Sequence, residues 1–155
     1  EILAADDDNT AISPPRWMGV DALTKAQMTR WALKSEDLSD DSQLLKQYDE
    51  NMGTVFAGSR QNAAGDWLRW KMLLPLATPE VELAPFFVDW RTSDVHPHDV
   101  LPDMGCSLVE LYATHPEPEM IMARLENLGV KLRVEKGTRV ALRAKIKCPK
   151  GIIEL

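Results

Sequence analysis

Cysteine is almost absent from this sequence. Cys106 and Cys148 are its only two, too few for a disulfide framework. Neither sits in a CxxC pair, which excludes a zinc knuckle and a thioredoxin-type motif. The simpler expectation is free thiols in a reducing, cytoplasmic setting. No apolar run approaches the roughly 18 residues of a membrane span, so no membrane partner is expected. Positive charge is in deficit: 18 Lys and Arg stand against 24 Asp and Glu, for a formal charge of -6. Sequence-independent binding to nucleic acid needs a basic surface and is not expected either. The sequence also lacks a Gly-x-Ser-x-Gly elbow, a phosphate loop, a dinucleotide fingerprint and a His-Glu-x-x-His helix. No ready-made catalytic motif is present.

What is present is an order of elements that occurs twice within 155 residues. Residues 28–90 and 106–155 each read as strand, helix, strand, strand, strand. In the first copy Gly53 closes a helical stretch and Pro75 ends a strand. Gly129 and Pro149 do the same in the second copy at nearly the same spacing. Ser35–Asp41 offers N-cap residues and acidic charge at a helix start, and Leu38, Leu44, Leu45, Tyr48 and Met52 follow at helical spacing. Trp67–Leu74 is the clearest strand. In the second copy Pro118 opens a helix whose apolar stripe is Met120, Ile121, Leu125 and Leu128. Residues 1–27 read as the end of an upstream module plus a linker, and 91–105 as a second linker rich in proline and histidine. The predicted fold is α+β. Two βαβββ modules form a curved, mixed but largely antiparallel sheet around a cleft, with the helices outside.

Side chains alternate across a strand, so parity sorts the faces. Leu68, Trp70, Met72 and Leu74 share one face, as do Val140, Leu142, Ala144 and Ile146. These faces are expected to cover their helices. The opposite faces carry Trp67, Arg69 and Lys71 in one copy, and Ala141, Arg143 and Lys145 in the other. Counted from the prolines, Arg69 matches Arg143 and Lys71 matches Lys145; in the last strands Asp89 corresponds to Glu154. Arg30, Glu110 and Tyr112 join from the first strands. A partly desolvated guanidinium clamps carboxylate or phosphate well, so this lining fits a polar or anionic small molecule. A solvated sheet face looks the same, and the cations would then neutralise Asp89 and Glu154 in cross-strand pairs.

The runs Gly58-Ser59-Arg60, Gly65-Asp66-Trp67-Leu68-Arg69-Trp70-Lys71-Met72-Leu73-Leu74-Pro75 and Pro85-Phe86-Phe87-Val88-Asp89-Trp90 carry a family likeness. So do His96-Pro97, His115-Pro116-Glu117-Pro118 and Gly151-Ile152-Ile153-Glu154-Leu155. With them the chain resembles the glyoxalase-like domain of the vicinal oxygen chelate superfamily, from Trp17 onward. That superfamily includes glyoxalase I, extradiol dioxygenases and antibiotic-binding resistance proteins. The resemblance implies a further module upstream, whose last strand Glu1-Ile2-Leu3 matches, so the chain reads as one lacking most of its first module. It also implies last-strand metal-ligand positions at Glu154, Asp89 and Glu1. The first-strand histidines of the metal enzymes have no counterpart, since the matching stretches are Thr29–Ala32 and Cys106–Val109. Carboxylates alone suit zinc, nickel or iron poorly, so no cofactor is favoured and a divalent metal is the alternative.

His96 and His98, with Asp94 or Asp99, are a second metal candidate, although prolines around them also suit a plain turn. Trp31, Trp70 and Trp90 fit apolar faces, Trp67 is expected to line a pocket, and Trp17 is a candidate lid. The favoured function is small-molecule binding. The alternatives are a metal-dependent lyase or dioxygenase using Glu154, Asp89 and a linker histidine, and a non-catalytic protein that sequesters a drug or metabolite. A homodimer is expected.

Overall fold

A computed structural model describes residues 13–155; Glu1 and the segment Ile2–Ala5 lie outside the described residues. The first half runs β1 (Ala32–Lys34), α1 (Leu38–Tyr48), β2 (Val55–Gln61), β3 (Trp67–Leu73) and β4 (Phe86–Asp89). The second runs β5 (Ser107–His115), α2 (Pro118–Asn127), β6 (Arg133–Lys136), β7 (Ala141–Cys148) and β8 (Gly151–Glu154). Both halves thus follow the order strand, helix, strand, strand, strand. The fold is α+β, with two four-stranded mixed sheets.

Local chemistry explains where the helices start and stop. The Asp37 carboxylate accepts from the Ser39 and Asp40 amides and so caps α1. Pro118 stands in the first turn of α2, where its missing N–H costs nothing. Gly129 follows α2 with φ +69. Its amide donates to Glu126 O and the Val130 amide to Leu125 O, which closes the helix with a glycine in the left-handed position. Gly53 behaves differently from the sequence expectation. Helix α1 ends at Tyr48, and Gly53 instead brings the returning chain against it, where Ser42 Oγ donates to Gly53 O at 2.6 Å. A side chain at Gly53 would sit 2.6 Å from Ser42 O.

The two halves share their element order but not their strand pairing. In the first sheet the order is β1-β4-β3-β2, with β1 parallel to β4. In the second it is β6-β5-β7-β8, with β6 returning parallel beside β5. The crossover through α2 therefore closes on the neighbouring strand. The chain after α1 travels instead to the far edge of its sheet.

One apolar core runs through both halves. Leu38, Leu45, Met52, Leu73, Leu83 and Phe87 from the first join Ala113, Ile121, Leu125, Leu128, Val134 and Leu142 from the second. The helices also touch directly: Arg124 donates to Tyr48 O at 2.8 Å and its guanidinium stacks over the Tyr48 ring at 4.1 Å. Among the described residues no helix is long and apolar enough to cross a membrane.

The core fixes which sheet faces remain outside. In the second sheet Leu142 and Ala144 lie on the α2 side with Ala113 and Val134, so Ala141, Arg143 and Lys145 take the other face, as parity predicts. In the first sheet the expectation is overturned. Leu73 and Phe87 are the residues that reach α1, and Lys71 pairs with Asp89 on that same face. Trp67, Arg69 and Lys71 therefore share the face that α1 partly covers, and Leu68, Trp70 and Met72 take the other. The physical reason is that β3 carries apolar residues on both faces, so its pattern could not select the helix side.

Candidate functional site

The open face of the second sheet gathers charge around one tyrosine. Antiparallel pairing sets Tyr112 opposite Arg143 and Glu110 opposite Lys145, and β8 sets Glu154 beside Lys145. The parallel strand β6 adds Arg133 opposite Tyr112 from the other side. Tyr112 is buried beneath them and donates its hydroxyl to Glu154 Oε1 at 2.6 Å. Arg133 covers its ring at 4.4 Å and Lys145 at 5.2 Å, distances at which a cation is drawn to the ring face.

Most of these charges are already engaged. Arg133 Nε donates to Glu110 Oε1 at 2.7 Å, and Lys145 Nζ to Glu110 Oε2 at 3.2 Å. Arg133 also pairs with Glu135. The two cations hold the Glu110 carboxyl below its ordinary range, and Glu110 in turn raises Lys145. The hydrogen bond to Glu154 raises the Tyr112 phenol, so Tyr112 stays protonated at neutral pH. Arg143 is the exception. It is half-buried between these groups, and it has no hydrogen-bond or ion-pair partner among the described residues.

The residues expected from the first half are placed elsewhere. Arg69 binds Asp94 at 2.5 Å and stacks on Trp67 at 5.3 Å, which spends both on the linker. Lys71 is exposed and faces Asp89 across the strands. Arg30 is a structural clamp: its guanidinium donates to the carbonyls of Thr29, Leu76, Thr78 and Glu80, tying down the loop before β4. The four cations expected around one cleft are thus divided. Arg143 and Lys145 join Tyr112 and Glu154, while Arg69 and Lys71 do not. Arg133 escaped the sequence reading because only the parallel return of β6 brings it to Tyr112.

The metal candidates do not assemble. Asp89 is buried and receives the Arg91 amide and both ends of its guanidinium. Hydrogen bonding to Arg91 outweighs burial and holds the Asp89 carboxyl down at about 2. His96 uses Nδ1 to accept the His98 amide at 3.2 Å, and its ring packs on Trp90 at 5.9 Å. His98 leans on Asp99 at 3.4 Å. Among the described residues no group of three or more His, Cys, Asp or Glu could hold a metal ion, so they do not fit a metal centre.

The Asp89 pairing carries a pH dependence whose sign is fixed. A carboxyl whose pKa falls from 3.8 to about 2 on folding contributes stability above the unfolded value. That contribution is lost as pH drops from about 4 to 2. Discounted for the solvent around the exposed guanidinium, about 1–2 kcal/mol is at stake. Urea titrations from pH 5 to pH 2 should show this slope in the parent and a smaller one in Asp89→Asn; equal slopes would refute the assignment.

A hollow of about 390 Å³ lies between the helices, lined by Leu44, Gln47, Tyr48, Arg124, Asn127 and Leu128. Two of its polar side chains are engaged, since Tyr48 donates to Glu82 and Arg124 to Tyr48 O.

Compared with known proteins, residues 1–129 match the family model described as glyoxalase-like domain. No curated protein and no solved structure matches the chain.

Proposed function

The chain belongs to the glyoxalase-like domain family, and on that footing we propose that it binds a polar small molecule bearing one anionic group, on the open face of the second sheet. The observation that carries this reading is Arg143, half-buried and without a hydrogen-bond or ion-pair partner among the described residues, amid groups that are otherwise paired. A guanidinium presents a planar fork that matches a carboxylate or phosphate edge. Tyr112 and the stems of Arg133 and Lys145 offer the ligand body a flat surface beside it. Glu110 and Glu154 flank the same spot, and their charges repel a second anionic group. A monoanion therefore suits the site better than a polyanion.

The test is a thermal-shift and calorimetric panel of acetate, benzoate, malonate and phosphate against chloride at matched ionic strength. Saturable binding of the monocarboxylates, exceeding that of malonate, is the expected result. Identical responses to all the salts would show only non-specific screening and end the proposal. The same panel with added zinc or manganese separates this reading from a metal-dependent one, which requires binding that appears only with the ion.

A further inference from the structure

The two cysteines, far apart in sequence, meet in the second sheet. Ser107 at the start of β5 pairs with Lys147 near the end of β7, and the strands run antiparallel. The next position outward sets Cys106 opposite Cys148, which β8 in turn pairs with Gly151. Directly opposed residues on antiparallel strands hold their Cβ atoms about 4.5–5.5 Å apart. A disulfide needs about 3.5–4.5 Å. Closing that gap takes little movement at a sheet end. Cys106 is exposed and Cys148 half-buried. The Cys106 thiol donates to Met104 O at 3.8 Å, and its nearness, with burial, raises Cys148. Beside them the linker is already seated on the hairpin, because a side chain at Gly105 would come within 3.1 Å of Pro149.

We propose that Cys106 and Cys148 form a reversible intramolecular disulfide that clamps the linker to the β7–β8 hairpin. The oxidant is a low-molecular-weight disulfide. The exposed Cys106 thiolate attacks one of its sulfurs, and the other sulfur leaves as a thiolate. Cys148 then attacks Cys106 in the mixed disulfide and expels the second small thiol. Two protein thiols become one disulfide, the oxidant is reduced to two thiols, and the two protons pass to them. The bond fixes the base of β8, whose far end carries Glu154.

The test incubates native protein in glutathione redox buffers, followed by intact mass measurement and thiol titration. Both thiols should disappear together, with the mass of two hydrogens lost. The internal disulfide should exceed glutathione adducts by at least about tenfold. Dithiothreitol should restore both thiols, and Cys148→Ser should trap glutathione on Cys106. In urea the internal disulfide should lose its advantage, since the unfolded chain no longer holds the pair together. Persistent adducts on the native protein, cross-linked chains as the main product, or an advantage undiminished in urea would each overturn the proposal.

Discussion

Truncating Leu125 to alanine is expected to shift a signal that arises entirely in the other half of the chain. All five tryptophans, Trp17, Trp31, Trp67, Trp70 and Trp90, precede the linker. Leu125 belongs to α2, is fully buried, and lies in the core that also holds Leu45, Leu73 and Phe87. Removing a buried leucine side chain costs about 2–5 kcal/mol, the lost transfer energy plus the cavity left behind. A domain of this size has only about 5–15 kcal/mol to lose. If the core is one cooperative unit, tryptophan fluorescence and backbone circular dichroism should shift together in urea, each to a lower midpoint with unchanged slope. A fluorescence transition that stays in place while the dichroism splits would mean two independently folding halves.

Replacing Arg143 with glutamine is expected to weaken monocarboxylate binding at least about tenfold. Hydrogen bonds to a charged group contribute about 1.5–3 kcal/mol, and glutamine keeps neither the charge nor the fork. Stability should barely change, because Arg143 makes no ion pair or hydrogen bond among the described residues that the substitution could break. Arg69→Gln is the matched control. Its partner is Asp94 on the linker, so it should leave affinity within about twofold and salt sensitivity unaltered. The reverse pattern, binding lost with Arg69 and kept without Arg143, would move the site to the first sheet. Tyr112→Phe adds a finer reading. It frees Glu154 from its hydrogen bond, and a free carboxylate should compete for Arg143 and weaken binding more modestly.

Much of the architecture was legible because punctuation in the sequence is local. Asp37 caps α1 and Gly129 ends α2 through contacts within a few residues of themselves, so pattern alone pointed to Gly129 and bracketed the cap within Ser35–Asp41. Gly53 misled because its role is tertiary: it lets the chain pass Ser42 rather than closing the helix. The face of β3 was misassigned for a related reason. Leu73 points into the core while Leu68 is buried on the opposite side, and parity cannot rank two apolar faces. Strand pairing was out of reach altogether. Identical element order yields β4 beside β1 in one half and β6 beside β5 in the other. That difference brings Arg133 to Tyr112. Arg30 shows the same blindness, since the carbonyls it clamps lie on a loop far along the chain. Tyr112, Arg143, Lys145 and Glu154 were legible because side-chain parity along each strand needs no knowledge of the pairing to put them on one face.

Backbone amide shifts recorded while a monocarboxylate is titrated into the labelled protein bear most directly on where a ligand would sit. Perturbations clustered on Tyr112, Arg143, Lys145 and Glu154 are what an anion seated against the Arg143 guanidinium requires. Shifts confined to the neighbourhood of Arg69 and Asp94, or to the hollow between the two helices, would contradict it.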